Sequence, residues 1–293
     1  TKINGNTSVT VEGTPVIYGN VYGGGDAGDV GGNTTVTIGS KTTVDAPTIN
    51  NVYGAGKGSA ANVANNVTVE MNNGTILGDI YGGGEQGTVG ATETNEKYIK
   101  VTMSGGVVKG YVYGGGNEGA SYATTTVTMT GGSVHESVFA GAKGVQNTIY
   151  VSGLRTLNML GGEVYGSVYG GSRNSSDGGK IVNAGGTMPA EDAVYRAFVN
   201  VTGGTIHQHV YGGGFYGKLY GSVDIYVGKQ AILGANNSAN ANKVMPETII
   251  NPLYIHGSVY AGSNWGTFTS GDFGPATTSG YSHIYVDGTG YEN

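Results

Sequence analysis

In this chain of 293 residues, the types that could do chemistry fall into a few groups. His207 and His209 stand two apart, and His256 takes the place of His207 when Thr205-Ile206-His207 is set over Tyr254-Ile255-His256. If strand alternation holds, these three imidazoles project from one face and could share a metal ion. The same alignment puts Tyr165 and then His135 below them, and no carboxylate completes a ligand set. Exposed histidines that bind nothing are therefore the plainer expectation. Phe215 and Tyr216 align with Asn264 and Trp265, and Tyr220 lies close by. Flat rings beside amides form a platform for a sugar, with ring faces covering its apolar side and amides meeting its hydroxyls. The competing reading is that these rings fold inward as a small satellite cluster.

Other motifs lose their meaning when read in context. Gly23-x-Gly25-x-x-Gly28 matches a dinucleotide fingerprint, and three further stretches beginning at Gly82, Gly114 and Gly212 match it too. A phosphate cradle must open a helix, and no helical pattern follows any of them, so these glycines read as chain corners. Gly23 to Asp29 touches the calcium-binding nonapeptide, which needs tandem copies with an Asp in each. Aligned on the neighbouring tyrosines, Asp26 is followed by Lys57 and Glu85, a pattern expected of surface charge pairing, with calcium left open as the only cofactor. Carboxylates do not converge either: Glu70 sits between Thr37 and Thr102, and Asp79 between Asn51 and Tyr111. Acid–base chemistry would have to come from Asp177, Glu191, Asp192 and Asp272 in irregular stretches.

The elements that position these groups are repeats. A short phrase recurs eight times, as Val21-Tyr22-Gly23, Val52-Tyr53-Gly54, Ile80-Tyr81-Gly82, Val112-Tyr113-Gly114, Val138-Phe139-Ala140, Val168-Tyr169-Gly170, Val210-Tyr211-Gly212 and Val259-Tyr260-Ala261. Between its copies stands an alternating phrase such as Val69-Glu70-Met71 or Val127-Thr128-Met129, which is strand periodicity. Gly-Gly corners such as Gly105-Gly106 and Gly131-Gly132 separate the two. A unit of about 30 residues cannot bury its own apolar face, whereas stacked units bury a continuous column. The expected fold is all-β: a single-stranded parallel β-helix of eight to nine coils, right-handed as parallel crossovers are. It forms one solenoid domain over residues 1–293, with loop insertions near 172–197, 228–251 and 263–283. The ladder from Tyr22 to Tyr260 reads as an internal stack at a corner of the coil, although strict alternation with the preceding valine would turn the rings outward.

Composition narrows the partners. With 20 acids against 14 bases the formal charge is −6, which excludes a nucleic-acid partner held by a basic face. Cysteine is absent, so disulfides, thiolate metal sites and cysteine nucleophiles are excluded together. No apolar run of the length needed to span a bilayer occurs, so membrane insertion is not expected. A start at Thr1 without Met or signal peptide is expected of a piece of a larger polypeptide.

The Val-Tyr-Gly-Gly-Gly phrase with its Val-Thr-Met-x-Gly-Gly companion resembles the glycine-rich repeats of large adhesin-like surface proteins of bacteria, gut anaerobes especially. The coil logic is similar to that of pectate-lyase-like β-helices. The resemblance covers about residues 9–290 and implies an extracellular location at the bacterial cell surface. It implies a non-catalytic structural or adhesive module whose C-terminal-half loops bind a glycan or another surface ligand. The alternatives are a polysaccharide lyase or glycoside hydrolase of β-helix type, and a phage or secreted fibre segment.

Overall fold

A computed structural model describes residues 2–90, 97–145, 149–151, 153–177, 197–216, 219–220, 223–228, 253–264, 268–269 and 282–287. Among the described residues there are strands, bridges and turns but no helix, and every strand pairing is parallel. The architecture is therefore all-β, and each strand pairs with its equivalent in the next repeat, an arrangement compatible with a β-helix or related solenoid.

The alternating phrases stack in register. Val9, Val36, Val69, Val101, Val127, Leu157, Val199, Ile225 and Ile284 are successive partners along one sheet. From Val9 to Ile225 their side chains and those two residues on pack into the core, and Val36, Ile38, Val69, Met71, Val101 and Met103 are completely buried, whereas Ile284 and Val286 of the last strand are exposed. The residues between them, such as Thr37 and Glu70, stay partly exposed, so the two-residue period of the sequence becomes an inner and an outer face. Complete burial of each such valine or methionine is worth about 1.5–3 kcal/mol.

The corner after this strand requires glycine. Gly74, Gly106, Gly132, Gly162 and Gly204 occupy it with φ between +80° and +107°. A β-carbon on Gly106 would also lie 2.4 Å from the Met71 Cε atom and 2.8 Å from the Gly74 carbonyl oxygen. The chain then forms short strands such as Val107–Val108 and enters the aromatic phrase. The eight aromatic phrases form their own parallel sheet from Val21–Tyr22 to Val259–Tyr260.

Alternation persists through these two-residue strands. Val52, Ile80, Val112, Val138, Val168 and Val210 enter the aliphatic core, whereas the rings next to them turn the other way into a separate cluster. The ladder is thus not part of the aliphatic interior. Between its two end rings it is nonetheless buried: Tyr113 is fully covered and Tyr53 is 4 % exposed, because each ring is covered by its neighbours and by side chains from either side.

Residues 176–177, 219–220 and 268–269 pair in sequence with Ile149–Val151 as a fourth set of strands. In earlier repeats the corresponding column is held by single bridges through Val30, Val63, Val89 and Ser121. Residues 172–177 and 268–269 therefore continue the repeat, and most of the remaining positions in the three expected insertions lie outside the described residues.

A candidate binding cleft on the aromatic ladder

The strand spacing of about 4.8 Å dictates the ladder's geometry. From Tyr22 through Tyr53, Tyr81, Tyr113, Phe139, Tyr169 and Tyr211 to Tyr260, ring centroids are 4.5–5.2 Å apart and the planes lie within 14° of parallel. Ring faces are spent on one another, so the ladder offers its edges outward. It forms the floor of a groove. One wall carries the residues two before each ring: Asn20, Asn51, Asp79, Tyr111, Ser137, Ser167, His209 and Ser258. The other carries the residues four after it, among which Asp26 bridges to Lys57, and Asn117, Lys143, Arg173, Phe215 and Asn264 follow one another.

This second wall closes over the floor by a rule. Each side chain reaches the ring hydroxyl two repeats earlier. The Tyr22 hydroxyl donates to Glu85, and Asn117 stands beside the Tyr53 hydroxyl. Lys143 Nζ donates to the Tyr81 hydroxyl at 3.3 Å, Arg173 to that of Tyr113 at 3.2 Å, and Asn264 Nδ2 to that of Tyr169 at 3.3 Å. Burial raises the hydroxyl of Tyr22 to about 12, and it also pushes those of Tyr53, Tyr81 and Tyr113 upward. All of them are neutral donors and acceptors at physiological pH.

The rule fails once. Phe139 has no hydroxyl, and the residue two repeats on is Phe215, which has no donor. With both halves of the latch missing, the groove opens into a cleft of about 270 Å³ lined by both residues. The first wall widens it further, because Ser137 and Ser167 follow the bulky Tyr111. These serines are fixed in place: Ser167 Oγ donates to Gln208 Oε1 at 3.3 Å and accepts the His209 backbone N–H at 3.1 Å. The Arg173 guanidinium lies 4.3 Å over the Tyr111 ring, and Glu136 stands beside the Tyr111 hydroxyl in the lining. Phe215 meets Tyr169 edge-on at 6.1 Å, and Asn264 closes the far end. Aromatic edges, one guanidinium, one carboxylate, that of Glu136, two amides, two serine hydroxyls and two imidazoles, those of His135 and His209, thus converge on one concavity.

Three residues expected to bind are in this cleft, namely His209, Phe215 and Asn264. They come from what the sequence presents as two different sites. Tyr216 packs edge-on against Phe215 at 4.6 Å but stands outside the lining, 40 % exposed and with φ +52°. Tyr220 belongs to the strand Leu219–Tyr220, its side chain lies outside the described residues, and Trp265 lies outside them altogether.

The histidines divide. His207 stacks on Tyr165 at 4.8 Å and under His256 at 5.2 Å, and its Nε2 meets Glu163 Oε1 at 2.8 Å. That contact holds the Glu163 carboxyl below its ordinary range. His209 stands apart from this stack, edge-on to Tyr211 and Tyr260, and its Nδ1 accepts the Ser258 backbone N–H at 2.9 Å. The strand Ala197–Ile206 ends before these residues, so the alternation that would bring all three to one face does not extend to them. Among the described residues no three His, Asp or Glu side chains gather as a metal site.

Arg173, Tyr111, Glu136, Ser137, Ser167 and Gln208 also line the cleft, and the sequence does not single them out. The available signal was the one hydroxyl-free ring in the early ladder, Phe139, together with the one ring in the charged column, Phe215. No family model matches this chain, and neither a curated protein nor a solved structure is similar to it.

Proposed function

We propose that the chain is a right-handed parallel β-helix acting as a non-catalytic extracellular module of a bacterial surface protein, and that it binds a sugar in the cleft between Tyr111 and Asn264. A stack of near-identical repeats is stiff and displays side chains at fixed spacing, which suits a spacer that also presents a ligand site. The observation that carries the reading is the cleft itself, opened where the latch fails on both sides and lined by paired hydroxyls and amides over aromatic edges. Such a mixture of apolar floor and convergent hydrogen-bonding groups is the usual composition of a small-ligand site.

A glycan array followed by calorimetric titration of the best hit tests this. Binding is expected, and replacing Gln208 and Asn264 together by Ala should weaken it at least tenfold. Silence across the array, or an affinity indifferent to that double substitution, would leave a spacer without a ligand.

A further inference from the structure

The cleft is chemically uneven along its length, and that unevenness selects a ligand class, provided the cleft is a sugar site at all. At its lower end stands Arg173. Its guanidinium spends one donor on the Tyr113 hydroxyl and a face on Tyr111, and among the described residues no carboxylate lies within ion-pair distance of it. Lys57, on the same wall, does have such a partner, Asp26 at 3.3 Å. Two acids stand near Arg173 without pairing with it: Glu136, which lines the same cleft beside the Tyr111 hydroxyl, and Asp79, which accepts the Tyr81 hydroxyl at 2.7 Å and the Tyr111 backbone N–H at 2.8 Å. A guanidinium has five N–H donors in a planar fork that fits a carboxylate two-to-two, so Arg173 retains donors for one.

The middle is apolar, made by Phe215 above the hydroxyl-free edge of Phe139. At the upper end Gln208 accepts the Ser167 hydroxyl through its oxygen and keeps its NH₂ free to donate. Asn264 is the converse: its NH₂ holds the Tyr169 hydroxyl and its oxygen stays free to accept. The order along the groove is therefore an oxyanion fork, an apolar step, then one donor and one acceptor suited to hydroxyls.

We propose that the cleft takes an N-acylated sugar acid, its carboxylate on Arg173, its acyl methyl beside Phe215 and Phe139, and its hydroxyls on Gln208 and Asn264. The ligand is held without covalent change.

Titration calorimetry with three probes separates the parts: the methyl glycoside of N-acetylneuraminic acid, methyl glucuronide, which has the acid without the acyl group, and methyl N-acetylglucosaminide, which has the acyl group without the acid. The first should bind at least tenfold tighter than either of the others, a difference of about 1.4 kcal/mol. Arg173→Gln should abolish the advantage conferred by the acid. Arg173→Lys, which keeps the charge but not the fork, should fall between. Phe215→Asn should remove the advantage conferred by the acyl group alone. Circular dichroism and melting of each variant identify any that fail to fold, and the probe comparison on the unaltered protein stands without them. Equal affinity for the three probes, or an acid preference that survives Arg173→Gln, overturns the inference while leaving a neutral-sugar site standing. If the array and all three probes are silent, the carbohydrate reading itself has failed.

Discussion

Restoring the latch that the fifth repeat lacks tests whether its absence makes the cleft. Phe139→Tyr supplies the hydroxyl and Phe215→Asn supplies the donor that Asn264 supplies to Tyr169 at 3.3 Å. Phe139→Tyr alone puts a hydroxyl into an open cleft where water can reach it, so its cost should stay within about 1 kcal/mol. Phe215→Asn alone forfeits two edge-on ring contacts, with Tyr169 at 6.1 Å and Tyr216 at 4.6 Å. At about 0.5–1.5 kcal/mol for each such contact, the loss should be about 1–3 kcal/mol. The double variant gains a hydrogen bond, worth about 0.5–1.5 kcal/mol net, that neither single variant has. Urea denaturation of all four proteins should therefore show favourable coupling of about 1 kcal/mol, and sugar binding should fall at least tenfold as the groove closes. Single effects that add to within about 0.5 kcal/mol would mean that the two positions do not meet, and the two-repeat rule would be wrong at this repeat.

Two further outcomes follow from the packing. The hydroxyls of Tyr53, Tyr81 and Tyr113 are raised in the folded protein, so the folded state holds those protons longer than the unfolded chain does. Stability should be undiminished below about pH 10 and should then fall by about 1.4 kcal/mol per pH unit for each such tyrosine. Alkaline denaturation should accordingly be steep, and shallower by one proton in Tyr81→Phe; a midpoint indifferent to pH above 10 would contradict the burial of the ladder. At the corner, Gly106→Ala must hold φ +80° and crowd Met71, for a combined cost of about 2–5 kcal/mol. Gly19→Ala, which meets nothing within 4 Å, should melt with the parent protein.

The sequence makes the stacking legible because its period is enforced by packing. Val69, Val101 and Val127 recur at the spacing that puts each on its equivalent, and a slip by one residue would turn the whole row out of the core. The same logic makes the columns of the groove walls readable, including the one that runs through Lys143, Arg173, Phe215 and Asn264. The orientation of the ladder was harder to read. An internal stack would need the alternation to break after each valine, whereas the strands keep their alternation and the rings are buried by one another on the opposite side from the valines. The histidines failed for the converse reason: His207 and His209 follow the end of their strand, where a two-residue spacing no longer means a shared face.

The cleft was least legible because its determinant is a relation and not a residue. Within a column Phe215 looks like an aromatic among charges, and within the ladder Phe139 looks like a conservative change. Their connection appears only when the wall is compared with the ring two repeats earlier, an offset of 60 to 64 positions for the latches of Tyr22, Tyr53, Tyr81 and Tyr113. Two repeats amount to about 9–10 Å, a distance bridged from both ends by a tyrosine and a polar side chain. A hydroxyl left without its donor, or a donor left without its hydroxyl, costs up to about 1 kcal/mol where water can reach it and about 1–3 kcal/mol where water is excluded. Either loss alone is therefore disfavoured, and loss of both together relieves the penalty while removing the bridge that fills the groove. In a repeat held together by paired polar contacts, a site opens most cheaply where both partners become apolar at once, and Phe139 with Phe215 is that place in this chain.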